Sequence, residues 1–170
     1  MQPWPVLVLA VTLPASLAAQ ASGPADTLPA RVATVTAGTG NALGWLGLQG
    51  ERYWTGDRAS LFVGLGYTPE IDAGDPSGPT FAVGVRGFTP GYKHRGFLEF
   101  SVSQLVIVSG PSEERRRLYG PGLQAGYQYA SAGGFTFMIS LGLGYASDVP
   151  AGESEVGGMG GVSLGYTWRR

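Results

Sequence analysis

Charged side chains are scarce in this chain, and three of them stand where polar and apolar residues alternate. Only 14 % of the 170 residues are Asp, Glu, Lys or Arg, against roughly 25 % in an ordinary soluble domain. Glu51, Arg86 and Glu99 each fall in phase with the small or polar residues of their stretch. A guanidinium between two carboxylates can form an enclosed ion-pair cluster, or a gate whose rearrangement passes ions or small solutes. The cluster is favoured, because an unpaired enclosed charge is costly.

Other chemistry-bearing groups give weaker signals. His94 is the single histidine, in Lys93-His94-Arg95, and no Ser and acid can be placed with it on one face as a catalytic group would need. Glu70, Asp72 and Asp75 lack the full spacing of a calcium-binding loop. Cysteine is absent, which excludes disulfides and thiolate metal sites. The sequence therefore predicts no catalytic residue, no cofactor and no metal site.

A run of three arginines, Arg115, Arg116 and Arg117, follows Glu113 and Glu114. Guanidinium groups bind phosphate through two hydrogen bonds, so this run could contact phosphate groups. The alternative without a specific function is a solvated run of charges, in which Glu113 and Glu114 partly neutralise the arginines. The net charge of −1 argues against a nucleic-acid partner.

Alternation between two kinds of residue is the dominant pattern. The peptide Gly-Leu-Gly-Tyr occurs at 64–67 and 142–145, with near-copies at 124–127 and 163–166. Alternate residues of a strand point to opposite faces, so one face carries Leu and Val and ends in an aromatic residue, while the other carries small and polar groups. A soluble protein buries its apolar face, whereas a membrane barrel turns it to lipid. The aromatic residues then fall where an interfacial belt is expected, namely Tyr67, Tyr127, Tyr145, Tyr166 and Trp168.

The alternating stretches predict an all-β fold, a single antiparallel up-and-down transmembrane β-barrel of eight strands. The predicted strands cover 31–37, 43–53, 60–67, 80–88, 97–107, 118–129, 135–145 and 155–168. The longer connections, 68–79, 108–117 and 146–154, fall at one end, and both termini at the other. Glu51, Arg86 and Glu99 should then meet inside the barrel near the end that carries the termini.

An eight-stranded barrel has an interior that side chains just fill. Phe62, Met138 and Trp45 are predicted to point inward, which disfavours an open channel. Tyr53, Phe88 and Phe97 are predicted to join the aromatic rim at the terminal end.

The N-terminal segment predicts export. An apolar core over 6–13 is followed by Pro14 and small residues, which indicates a signal peptide over 1–20, a flexible leader over 21–30 and the barrel over 31–170. No stretch reaches the 18 or more apolar residues of a spanning helix.

The C-terminal run Val-Ser-Leu-Gly-Tyr-Thr-Trp at 162–168 resembles the terminal strand of outer-membrane proteins, which the barrel-assembly machinery recognises. It departs from the usual form because Arg169 and Arg170 follow the aromatic residue. The whole chain resembles small OmpA/OmpX-type barrels and the outer-membrane β-barrel domain family. The resemblance implies a Gram-negative-type outer membrane, no cofactor, outer-membrane lipid and lipopolysaccharide as surroundings, and a monomer. Arg115, Arg116 and Arg117 are then candidates for contact with lipopolysaccharide phosphates.

Four functions remain open at this point. The leading expectation is a non-enzymatic barrel with a structural or surface-interaction role, and the second is a narrow pore for ions or small solutes. A lipid-modifying barrel enzyme would need its histidine near the outer leaflet, whereas His94 is expected at the opposite end. A soluble lipocalin-like carrier would need Leu141, Leu143, Val83 and Val85 inside the barrel.

Overall fold

Eight antiparallel strands close into one barrel. The computed structural model describes residues 29–54, 56–70, 77–109, 114–146 and 156–170, with the backbone alone at 106–109 and 114–117. The strands are β1 (Arg31–Gly40), β2 (Gly44–Trp54), β3 (Ala59–Thr68), β4 (Gly78–Phe88), β5 (His94–Ser109), β6 (Glu114–Ala130), β7 (Phe135–Tyr145) and β8 (Val156–Arg169). Each strand pairs with its neighbours in sequence, and β1 closes the ring against β8. The predicted all-β, up-and-down barrel of eight strands is confirmed.

The largest departure from the predicted strands is in β5 and β6. Of the stretch 108–117, predicted as a loop, residues 108–109 and 114–117 belong to β5 and β6. Arg115, Arg116 and Arg117 pair through their backbone with Val108, Ile107 and Val106. A run of like charges has no alternation from which a strand could be recognised. β5 also begins at His94, three residues before its predicted start. The predicted signal peptide over 1–20 and most of the leader over 21–30 lie outside the described residues.

The barrel presents apolar side chains outward and polar or small ones inward. Leu141 and Leu143 are 72 % and 61 % exposed, and Val83 and Val85 are exposed as well. The buried set is largely polar, and it includes Thr34, Thr36, Gln49, Ser101, Gln124, Gln128 and Thr167. Among the described residues there is no helix with the length and apolarity needed to cross a membrane. The exposure of these side chains shows that the apolar face of the sheet is the outer face of the barrel.

Four aromatic predictions are wrong. Tyr53, Phe88 and Phe97, predicted in the aromatic rim at the end that carries the termini, are buried in the lumen, because they are in phase with the inward-facing charged residues of their strands. Trp45, predicted to point inward, is 61 % exposed. Gly44 and Leu46 both pair with Tyr67, so the register shifts around Trp45 and the alternation breaks there.

The two ends of the barrel differ. The turns β2–β3, β4–β5 and β6–β7 lie at the end where β1 begins and β8 ends, which we call the terminal end. The other four connections lie at the opposite end, which we call the loop end. This arrangement follows from the closed strand order.

The β1–β2 turn folds into the mouth of the barrel at the loop end. The Asn41 side-chain nitrogen donates to the carbonyl of Gln104 at 3.1 Å, and its side-chain oxygen accepts from the amide of Gly160 at 2.7 Å. Gln104 is in β5 and Gly160 in β8, strands that are not neighbours. Leu43, in the same turn, is buried. The turn therefore bridges separate walls of the barrel and covers its mouth.

Two glycines of β3 make room for this turn. A Cβ at Gly66 would overlap the carbonyl of Leu43, and one at Gly64 would lie 2.7 Å from the carbonyl oxygen of Ala42. Both positions face the lumen, where the turn backbone occupies the volume of the missing side chains.

We expect Gly66→Ala to destabilise the barrel by about 1–3 kcal/mol, the usual cost of overpacking. Gly87→Ala is the matched control, because Gly87 is an exposed strand glycine whose Cβ would meet nothing within 4 Å. The measurement is the urea midpoint of the refolded protein in detergent micelles. Equal midpoints for the two variants would contradict the inward-folded turn.

Candidate functional site

Arg86, Glu51 and Glu99 form one ion-pair cluster in the lumen, which we call the Arg86 cluster. Arg86 Nη2 lies 2.7 Å from Glu99 Oε2, and Arg86 Nη1 lies 3.3 Å from Glu51 Oε2. Arg86 in β4 faces Glu99 directly across the β4–β5 pair, while Glu51 is contributed by β2. All three side chains are at most 5 % exposed. The structure thus brings together the three charged residues that the sequence placed on one face.

Neutral side chains donate further hydrogen bonds to the two carboxylates of the cluster. Glu51 accepts from the Ser60 hydroxyl, and from the Tyr53 hydroxyl at 3.0 Å. Glu99 accepts from Ser101 Oγ at 3.0 Å and from Gln124 Nε2 at 2.8 Å. Buried charges are tolerated when they are paired and their remaining hydrogen-bonding capacity is used. Hydrogen bonding of this kind holds the cluster in a fixed geometry.

Aromatic rings enclose the guanidinium. The Arg86 Cζ atom lies 4.1 Å from the centre of the Phe62 ring and 5.1 Å from that of Phe97. A cation over an aromatic face is attracted by the ring quadrupole. This contact accounts for Phe62, which interrupts the row of small residues on the inner face of β3.

A second charged cluster lies toward the terminal end. Asp57 is 3.4 Å from Arg31 Nη1 and 3.5 Å from Arg95 Nη1. Arg95 also donates from Nε to Gln128 Oε1 at 3.2 Å and covers the Phe88 ring at 3.9 Å. Both arginines are buried. This Arg95 cluster, defined by Arg31, Asp57 and Arg95, is absent from the sequence-based predictions.

The sequence signal for the second cluster was incomplete. Arg95 is in phase with Phe97 and Glu99, so extending β5 by three residues would have placed it inside. Arg31 carries no such signal, because the pairing of β1 with β8 shifts register between Arg31 and Ala33. Asp57 sits in a turn at φ 64°, where alternation does not apply.

A hydrogen-bonded chain joins the two clusters. The Tyr53 hydroxyl donates to Glu51 and accepts from Gln128 Nε2 at 2.9 Å. The same Gln128 accepts from Arg95. Tyr53 and Gln128 therefore connect the two clusters through the lumen.

A small cavity remains between the Arg86 cluster and the β1–β2 turn. It has about 30 Å³ and is lined by polar groups that include Gln49, Arg86, Glu99, Gln124 and Ser140. A single water needs roughly 10–15 Å³ on this measure, so the cavity has room for about two. It is too small for a cofactor.

The remaining predicted residues are distributed over the outer surface. Tyr67 and Tyr145 are exposed at the loop ends of their strands, and Tyr127, Tyr166 and Trp168 are exposed nearer the terminal end. The rings of Tyr166 and Trp168 meet edge to face with centres 5.1 Å apart. For Arg115, Arg116 and Arg117 the structure describes the backbone alone.

His94 stands at the outer surface of the terminal end. It is the first residue of β5, it is exposed, and its Nδ1 is hydrogen-bonded to the Tyr127 hydroxyl. Its ring centre is 5.2 Å from that of Tyr129. Across the described part of the chain no three His, Cys, Asp or Glu side chains are grouped as a metal site would require.

The structure is similar to the crystal structure of the N-terminal β-barrel domain of Pseudomonas aeruginosa OprF. The TM-score is 0.56 at 16 % sequence identity, and the match covers 82 % of this chain and 99 % of that domain. No protein-family model and no curated protein matches the chain. At this identity the likeness establishes the fold. The resemblance to small outer-membrane barrels is confirmed at that level.

We expect Arg86→Met to lower the free energy of unfolding by about 3–5 kcal/mol, because it leaves two buried carboxylates without their cation. Arg58→Met is the control, since Arg58 is exposed and has no ion pair among the described residues. Urea unfolding in micelles measures both.

The triple variant Glu51→Gln, Arg86→Met, Glu99→Gln separates charge from packing. Neutralising all three groups should recover much of the stability lost in Arg86→Met, because a buried ion cluster replaced by neutral groups of similar volume is often as stable. A triple variant no more stable than Arg86→Met would show that the loss comes from packing instead of unpaired charge.

Proposed function

We propose that this chain is an integral outer-membrane β-barrel protein with a closed lumen and a structural or surface-interaction role. The observation that carries the proposal is the orientation of its faces. The strands expose Leu, Val and aromatic side chains all round the barrel, while the buried side chains are largely polar. In water this surface would be strongly unfavourable, whereas a membrane barrel requires it.

The ends of the barrel support an orientation in the membrane. Outer-membrane barrels have short periplasmic turns and longer outer loops. The terminal end, with its short turns, the start of β1 and the end of β8, would therefore face the periplasm of a Gram-negative-type envelope. The predicted signal peptide over 1–20 and the resemblance of the last strand to a barrel-assembly signal agree with this route.

The two clusters in the lumen support a closed barrel. Arg86 and Arg95 are each held by acids, amide side chains and aromatic rings, and the β1–β2 turn covers the loop end. We assign the Arg86 cluster a structural role as a plug. A narrow pore is the alternative, and the polar cavity above Arg86 is what favours it.

Two further parts of the proposal concern surfaces. Arg115, Arg116 and Arg117 lie in the first residues of β6, at the loop end. Lipopolysaccharide phosphates would surround the barrel there, so contact with them stays a prediction. We propose that the chain is not an enzyme. His94 lies at the terminal end and contacts Tyr127 and Tyr129, away from the outer leaflet where a lipid-modifying site would open.

The membrane location is tested by fractionation. We expect the full chain, expressed with its own N-terminal segment in a Gram-negative host, to sediment with outer membranes and to resist carbonate extraction. A folded barrel should also migrate differently on SDS gels before and after boiling. Recovery in the soluble periplasmic fraction would overturn the proposal in favour of a carrier.

Conductance distinguishes the plug from the pore. We expect planar bilayers containing the purified wild-type chain to show no defined channel. The triple variant Glu51→Gln, Arg86→Met, Glu99→Gln should also stay closed, because side chains of similar volume still fill the lumen. Discrete wild-type openings whose ion selectivity changes in the triple variant would establish the pore alternative.

A further inference from the structure

A groove runs along the outer face of β1, β2 and β3. It has a volume of about 540 Å³, within the roughly 300–1,000 Å³ of small-molecule sites. Gly50 forms the bottom of the groove, because it faces outward without a side chain between Val35 and Val63, with which it pairs. A Cβ at Gly50 would meet nothing within 4 Å. The apolar side chains lining the groove are Val35, Ala37, Leu46, Leu48, Val63 and Leu65.

Arg52 stands at the terminal end of this groove. It is the next outward-facing residue of β2 after Gly50, and its strand neighbours are Ala33 and Leu61. It is exposed and has no acidic partner among the described residues. Asp57, the acid of the adjacent β2–β3 turn, is already held by Arg31 and Arg95. The Arg52 guanidinium therefore lies unneutralised beside an apolar face.

Aromatic residues mark the depth of Arg52 in the membrane. Trp54 is the next outward residue of β2, and Trp168 pairs with Ala33 on the far side of the same row. Both are nearly half exposed. Tryptophans of this kind lie at the level of lipid headgroups, and an arginine on the outer face is tolerated near that level and costly at the midplane. Arg52 is thus at phosphate depth, and the groove extends from it toward the acyl chains.

We propose that this groove binds one anionic glycerophospholipid, with its phosphate on Arg52 and an acyl chain lying over Gly50 and Ala37. The inference rests on the proposed membrane-spanning function and adds a specific lipid site to it. Guanidinium and phosphate are complementary in charge and in hydrogen-bond geometry. A second copy of the chain fits less well, because a two-fold interface places the same patch against itself and would bring two Arg52 side chains together without an acid.

The test measures retention of dioleoylphosphatidylglycerol by the full chain in dodecylmaltoside micelles, using native mass spectrometry. Folding of every variant is checked by its heat-dependent gel migration. We expect one lipid bound to the wild type. Gly50→Leu, which fills the groove, and Arg52→Gln, which removes the charge, should each weaken binding by about tenfold or more, as loss of a charge-assisted contact or of the chain site would.

Matched controls separate the site from general effects. Gly87→Leu makes the same change at another outward glycine whose Cβ would meet nothing, and Arg170→Gln removes an exposed charge at the same end. Both should bind within about twofold of the wild type, since neither position lines the groove.

Several results would overturn the inference. They are unchanged binding in Gly50→Leu or Arg52→Gln, an equal loss in Arg170→Gln, equally tight binding of dioleoylglycerol, which lacks the phosphate, or a dimer in place of a lipid adduct. A folded barrel that retains no lipid overturns this inference alone. A wild-type chain that fails to fold in micelles and to insert into bilayers contradicts the proposed function first.

Discussion

The ion pairs of Arg86 with Glu51 and Glu99 are the interaction on which the closed lumen depends. An eight-stranded barrel leaves an interior only wide enough for side chains, so a charge that points inward cannot be left to bulk water. The guanidinium meets both carboxylates within 3.3 Å, and each carboxylate receives further hydrogen bonds. Removing Arg86 leaves two buried carboxylates without their cation, which is more costly than never having had the cluster.

The same constraint shapes both ends of the lumen. Toward the termini, Arg95 and Arg31 share Asp57, and Tyr53 and Gln128 connect them to the Arg86 level. At the loop end the lumen is filled by backbone atoms, because the β1–β2 turn occupies the space that Gly64 and Gly66 leave open. A barrel filled in this way presents its chemistry on its outer surface and its loops. The proposed lipid groove over Gly50 belongs to that outer surface.

Much of this fold was predictable because alternation is a local property. Strand β7 was predicted with the bounds that the structure has, and the inward phase of Glu51, Arg86 and Glu99 followed from counting by two. The predictions of strand bounds and side-chain direction failed where the alternation of polar and apolar residues is interrupted. The arginine run in β6 does not alternate polar with apolar residues, the register shift at Trp45 reverses the faces, and Arg31 lies beyond a shift between β1 and β8. Tyr53, Phe88 and Phe97 were misassigned because an aromatic residue at a strand end suits a rim as well as a lumen.

The sequence by itself determined that this chain forms strands, that one face of them is apolar, and that three charged residues share the other face. A side-chain period of two suffices for this, since it requires no knowledge of which strands meet. The tertiary structure alone decided which inward groups touch. Asp57 reaches Arg31 and Arg95, and Asn41 reaches Gln104 and Gly160, across 26 to 119 positions of sequence. These contacts depend on closing the ring at one register, and that register is a property of all eight strands together.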